Sequence, residues 1–112
     1  MGLKVNNSDG ACISSENDDR VVVNNCILDS ESKVEHAGVM GSASLLEINN
    51  CTIRNRNPAI FSRLGSRVMS TNNSGDNNTV GLSADTGGLI AKNSTQPNGS
   101  TTEAVYAGGA IR

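Results

Sequence analysis

The chain has 112 residues, a formal net charge of −2 and 36% hydrophobic residues, with no Trp, one Tyr and one Phe. That length is one domain, and the modest charge excludes the low-hydrophobicity, high-charge class of disordered chains. A negative net charge without interleaved aromatics argues against nucleic-acid binding, and no run is long or apolar enough to insert in a membrane as a helix.

A short phrase opens the chain, Leu3-Lys4-Val5-Asn6-Asn7-Ser8. It returns as Val21-Val22-Val23-Asn24-Asn25-Cys26 and as Leu46-Glu47-Ile48-Asn49-Asn50-Cys51. Looser copies are Met69-Ser70-Thr71-Asn72-Asn73-Ser74 and Leu89-Ile90-Ala91-Lys92-Asn93-Ser94, giving starts 18, 25, 23 and 20 residues apart. An irregular period of this size is the mark of a solenoid. Within each copy, alternate apolar residues fit a strand with one buried face. Leu3 with Val5, Val21 with Val23, Leu46 with Ile48, Met69 with Thr71 and Leu89 with Ala91 are the expected inward pairs.

The Asn pair bends the chain, because Asn tolerates the left-handed backbone region better than other non-glycine residues. A second apolar segment then begins, Cys26-Ile27-Leu28 or Cys51-Thr52-Ile53. Strand, Asn bend, strand and variable loop make one coil of a parallel β-helix. Stacked coils would place Asn7, Asn25, Asn50, Asn73 and Asn93 in one hydrogen-bonded column, with Cys26 above Cys51 beside it. Chance also contributes Asn pairs in so Asn-rich a chain, as at Asn77-Asn78.

Residues 30–44 are a long excursion broken by Gly38 and Gly41, with a short strand possible across 34–40. Asn57-Pro58 starts a turn, and 59–69 fits either a strand or a short helical turn around Ile60, Phe61 and Leu64. A polar loop follows at 71–79, a strand lies within 86–95, and 96–102 is a second loop. Gly87-Gly88 and Gly108-Gly109 read as kinks or close chain contacts. Residues 1–95 are thus the coils, and 96–112 a C-terminal loop and terminal strand of the same domain. The expected fold is all-β, a short right-handed single-stranded parallel β-helix of four to five coils. Open solenoid ends and an aromatic-poor core predict an oligomer, or a fragment of a longer protein.

Candidate chemistry is sparse. Cys12, Cys26 and Cys51 are odd in number and lack zinc spacing, so reduced thiols are expected and no metal or cofactor is implied. Asp29, Glu31, Glu35 and Glu47 are the candidate catalytic carboxylates, with Asp29 and Glu47 the two to test, but the aligned copies set Asp29 against Arg54 and Glu47 against Val22 rather than acid against acid. Residues 51–67 carry Arg54, Arg56, Arg63 and Arg67 without an acid. They read as an anion or acidic-glycan contact, or as a solvated face or inter-chain partner for the acidic first half. His36 is alone and is expected on a surface loop.

The phrases at 21–28 and 46–53 resemble the coils of right-handed β-helix proteins of the pectate-lyase-like type. That group includes bacteriophage tailspikes and tail fibres, and polysaccharide lyases and hydrolases. The stretch Gly87-Gly88-Leu89-Ile90-Ala91-Lys92-Asn93-Ser94-Thr95 and the closing Gly108-Gly109-Ala110-Ile111-Arg112 resemble the glycine-punctuated distal parts of phage tail proteins. The resemblance implies a homo-trimer of parallel solenoids on a virion tail, assembled in the host cytoplasm. It would give rigidity and trimerisation and contact host-surface polysaccharide. It carries over no catalytic motif. A fragment of a polysaccharide-degrading enzyme and a bacterial surface adhesin are the alternatives.

Overall fold

A computed structural model describes residues 4–7, 9–17 and 20–112. In chain order the strands are β1 (Lys4–Asn6), β2 (Ile13–Glu16), β3 (Val21–Asn24), β4 (Ile27–Asp29), β5 (Val39–Ser42), β6 (Leu45–Asn49) and β7 (Thr52–Ile53). They continue as β8 (Ile60–Arg63), β9 (Arg67–Thr71), β10 (Asn78–Ala84), β11 (Leu89–Asn93), β12 (Gly99–Val105) and β13 (Ala110–Ile111). All pairings are parallel, and the described residues contain no helix. The chain winds through three sheets: sheet A is β1-β4-β7, sheet B is β2-β5-β8-β10-β12 and sheet C is β3-β6-β9-β11-β13. This is a parallel β-solenoid of about five turns.

Parallel register turns sequence into columns of like side chains. Sheet C sends two columns into the lumen, Val21–Leu46–Val68–Ile90–Ile111 and Val23–Ile48–Ser70–Lys92. Sheet B sends Ile13–Val39–Ile60–Leu82–Glu103 and Ser15–Gly41–Ser62–Ala84–Val105. Sheet A adds Val5–Leu28–Ile53. Leu28, Val39, Leu46, Ile48, Ile53, Ile60, Val68 and Ile90 are fully buried. Small aliphatic residues thus fill the lumen, and the dominant stabilisation is removal of this surface from water.

Eleven of the corners are made by a non-glycine residue with positive φ. Asn17, Ala43, Leu64, Thr86 and Ala107 turn the chain from sheet B to sheet C with φ of 57°, 51°, 52°, 48° and 48°. Asn25, Asn50, Asn72 and Ser94 turn it from C to A, with φ of 56°, 56°, 53° and 65°. Asn55 and Asn77, with φ of 62° and 57°, turn it from A to B. Side-chain ladders join the coils here. Asn72 Nδ2 donates to Asn50 Oδ1 at 2.8 Å, Asn49 Nδ2 to Asn24 Oδ1 at 2.8 Å, and Asn77 Nδ2 to Asn55 Oδ1 at 2.6 Å. Asn77-Asn78 therefore belongs to a second Asn corner.

The predicted column needs correction at three places. Asn7 follows β1, which pairs with β4 in sheet A, so the opening phrase is not equivalent to the second and third. Leu3 lies outside the described residues. At the fourth rung Leu46 pairs with Val68 and Glu47 with Met69, so Asn72 stands over Asn50 and Asn73 turns inside. Met69 points outward, 37% exposed, and Val68 takes its expected place because the register that sets Asn72 on Asn50 at the corner reverses the parity of the strand. At the fifth rung Ile90 and Lys92 hold the lumen positions, not Leu89 and Ala91, and Asn93 pairs with Thr71 while Ser94 makes the corner.

Two further segments differ from the sequence reading. The stretch 59–69 is two strands with a corner at Leu64 and Gly65, not a helical turn. Strand β12 begins at Gly99, inside the expected loop, and β10 spans residues to which no strand was assigned. The glycine pairs do mark close contacts: a Cβ on Gly88 would lie 2.3 Å from the Ser62 carbonyl oxygen, and one on Gly109 would lie 2.5 Å from that of Ala84.

Candidate functional site

The two candidate carboxylates lie on different faces. Asp29 ends β4 in sheet A, whereas Glu47 sits on the outer side of β6 in sheet C. Each meets an arginine. Asp29 Oδ2 is 3.1 Å from an Arg54 terminal nitrogen, and its other oxygen accepts from Asn55 Nδ2 and the Ser30 N–H, both at 2.7 Å. Glu47 pairs with Arg20 at 2.5 Å. Partial burial pushes the Asp29 carboxyl up, but the Ser30, Asn55 and Arg54 donors outweigh it and hold the group below its ordinary value. It is therefore an ionised, saturated carboxylate, unsuited to act as a general acid. The paired-carboxylate geometry of glycoside cleavage is not assembled from these two residues.

The four arginines do not converge either. Arg54 pairs with Asp29 beside sheet A, and Arg67 is exposed on the outer side of sheet C. Arg63 leans over the Phe61 ring on sheet B, 5.8 Å from guanidinium carbon to centroid.

Arg56 is completely buried, which corrects its reading as a surface contact. Its five N–H groups meet five backbone carbonyls. Nε donates to His36 at 3.1 Å, Nη1 to Asn7 and to Asp29, and Nη2 to Gly10 and to Ala37 at 2.9 Å. With every donor used, nothing remains for an anion or glycan.

Cys51 is buried, Cys26 is partly buried on the neighbouring rung, and Cys12 is half-buried near Arg56. Burial pushes the Cys12 thiol up against the opposing pull of Arg56, and burial likewise raises Cys51. All three are free thiols, and the raised pKa of Cys12 and Cys51 makes those two poor nucleophiles and metal ligands. Among the described residues no group of three His, Cys, Asp or Glu could hold a metal ion.

Two concave sites stand out among the described residues. One, of about 510 Å³, opens at the last rung beside the Lys92–Glu103 ion pair and is also lined by Gln96, Pro97 and Thr102. The other, of about 220 Å³, lies on the outer side of sheet B. Phe61 and Met40 stack on adjacent rungs there, Pro58 adds an apolar wall, and Glu35, His36 and Asn57 form a polar rim. Sequence reading passed over this group, because the ambiguous 59–69 stretch hid the outward parity of Phe61. The rim is braced from behind. The His36 carbonyl accepts from Arg56 Nε and from the Asn57 N–H at 2.9 Å, while Asn57 Nδ2 donates to Glu35 Oε2.

No helix among the described residues is long and apolar enough to cross a membrane. No family model, no curated protein and no solved structure matches the chain.

Proposed function

We propose that this chain is a rigid, non-catalytic β-solenoid segment of the tailspike or tail-fibre kind, working as a trimer on a virion tail and contacting host-surface polysaccharide. The observation that carries the non-catalytic part is the state of the acids: Asp29 and Glu47 stand on separate sheets, each bound to an arginine. Rigidity is supported by the columns, where lumen packing, backbone ladders and Asn side-chain bonds all join successive coils. The small, aromatic-poor core favours association with further copies.

The test is a panel of purified bacterial capsular and O-antigen polysaccharides, read both for retention in affinity electrophoresis and for newly formed chain ends. The mass of the protein in solution is measured by light scattering. Retention of one polymer without new chain ends, by a species of three chains, is the expected result. New chain ends would overturn the non-catalytic reading, a monomer would overturn the trimer, and retention of no polymer would overturn the polysaccharide contact.

A further inference from the structure

We infer that the pocket on the outer side of sheet B, floored by Phe61 and Met40 and rimmed by Glu35, His36 and Asn57, is a subsite for one neutral sugar ring. The inference rests on the polysaccharide-contact reading above and names where that contact is made.

Phe61 is the chain's one phenylalanine, and it faces outward although the lumen is built wholly from smaller side chains. Its outer column runs Ser14–Met40–Phe61–Ser83–Ala104, so the only broad apolar surfaces in that column are Met40 and Phe61, side by side. Pro58 extends the floor. The Arg63 guanidinium lies over the same ring, 5.8 Å from its centroid.

The rim has the complementary chemistry. Glu35 Oε2 already accepts from Asn57 Nδ2, which leaves the second carboxylate oxygen, the second amide N–H and the amide oxygen for a ligand. Such a carboxylate–amide pair both accepts from and donates to neighbouring hydroxyls. A pyranose combines a C–H face that packs on an apolar floor with a rim of hydroxyls, and about 220 Å³ suits a single ring rather than a longer segment. Glu35 is the one acid lining the pocket, so a ligand carboxylate would meet like charge. This selects a neutral sugar over a uronic acid.

Pre-organisation supports the assignment. The His36 and Ala37 carbonyls are held by the buried Arg56 guanidinium, and the Asn57 N–H is bonded to His36. The rim loop is therefore clamped from the interior and loses little freedom on binding.

The experiment titrates the isotopically labelled full chain with the methyl glycosides of glucose, galactose and N-acetylglucosamine, and with glucuronate, following amide and Met40 methyl shifts. At least one neutral glycoside should give saturable shifts centred on His36, Met40 and Phe61, with half-saturation in the millimolar range. Phe61→Leu, which keeps an apolar side chain beside Met40, should weaken that binding roughly tenfold through loss of the flat ring, and Glu35→Gln should let glucuronate bind. No saturable shift with any glycoside up to about 100 mM would overturn the subsite, as would shifts centred elsewhere or unchanged binding by Phe61→Leu. If a polysaccharide is retained equally by wild type and Phe61→Leu, the subsite is wrong and the polysaccharide reading stands. If no polysaccharide is retained, that broader reading falls first.

Discussion

Arg56 shows how a full charge can be buried in a narrow apolar bore. The guanidinium has no carboxylate acceptor; five carbonyl dipoles from three separate chain segments surround it instead. Such charge-assisted bonds are stronger than neutral ones, and each carbonyl stripped of its donor in a buried site costs about 1–3 kcal/mol. Arg56→Met keeps most of the volume and removes every bond. It should lower stability by at least about 3 kcal/mol, read as a fall in the urea midpoint at unchanged slope. A loss below 1 kcal/mol would mean that water replaces the guanidinium, which its complete burial argues against. Asp29 gives a second residue-scale expectation. Its folded pKa lies below the ordinary 3.8, so its ionised form favours the folded state above that value. The contribution disappears as pH falls through the folded pKa. Asp29→Asn should be less stable than wild type at neutral pH and should show a shallower loss of stability below pH 3.8, measured by denaturant midpoints across the acid range.

At the scale of the element, the corners decide where the strands end. The C-to-A corner uses Asn at three rungs, the residue best suited to positive φ outside glycine. The B-to-C corner uses Ala43, Leu64, Thr86 and Ala107, which pay for that conformation without a side-chain bond across rungs. Leu64 is 46% exposed, so little packing is at stake. Leu64→Asn should therefore raise stability by about 0.5–1 kcal/mol, seen as a higher thermal midpoint. An unchanged or lower midpoint would show that the exposed leucine packs against something worth as much. The same contrast explains what could be read from sequence. Val21, Val23, Leu46 and Ile48 are aliphatic at both lumen positions and are followed by Asn at the corner, so the aliphatic phrase together with its Asn bend reveals β3 and β6. In β9 the lumen positions are Val68 and Ser70 while Met69 points out, and alternation gives the opposite parity. Sheet B is only partly legible, at 34–40 and within 59–69, because one of its lumen columns runs Ser15–Gly41–Ser62–Ala84 and carries no hydrophobic period. The Phe61 pocket and the Arg56 cage are illegible for a different reason: each joins residues far apart in sequence that only the stacking brings together.

For the whole molecule, the central problem of a solenoid is its ends, where the core and the backbone edges lie open. At the N-terminal rungs the columns of sheets B and C carry Ile13, Val21 and Val23. At the C-terminal rungs two of these columns end in Glu103 above Leu82 and Lys92 above Ser70, which pair with one another, and the third ends in Ile111. The pair lies over the lumen with side chains 38% and 34% exposed, so as a stabilising contact it is worth at most about 1 kcal/mol. Its larger effect is on what can dock there. An apolar rung beside the unpaired edges of β12 and β13 would accept the end of another solenoid, whereas burying two charges in such a contact carries a desolvation penalty of several kcal/mol per ion. Replacing both, as Lys92→Leu with Glu103→Leu, should leave the unfolding midpoint within about 1 kcal/mol of wild type. The same variant should gain mass with rising concentration in light scattering, while the wild type holds a constant mass. A variant that stays at the wild-type mass over the same concentrations would show that the charged lumen rung is not what keeps the ends apart.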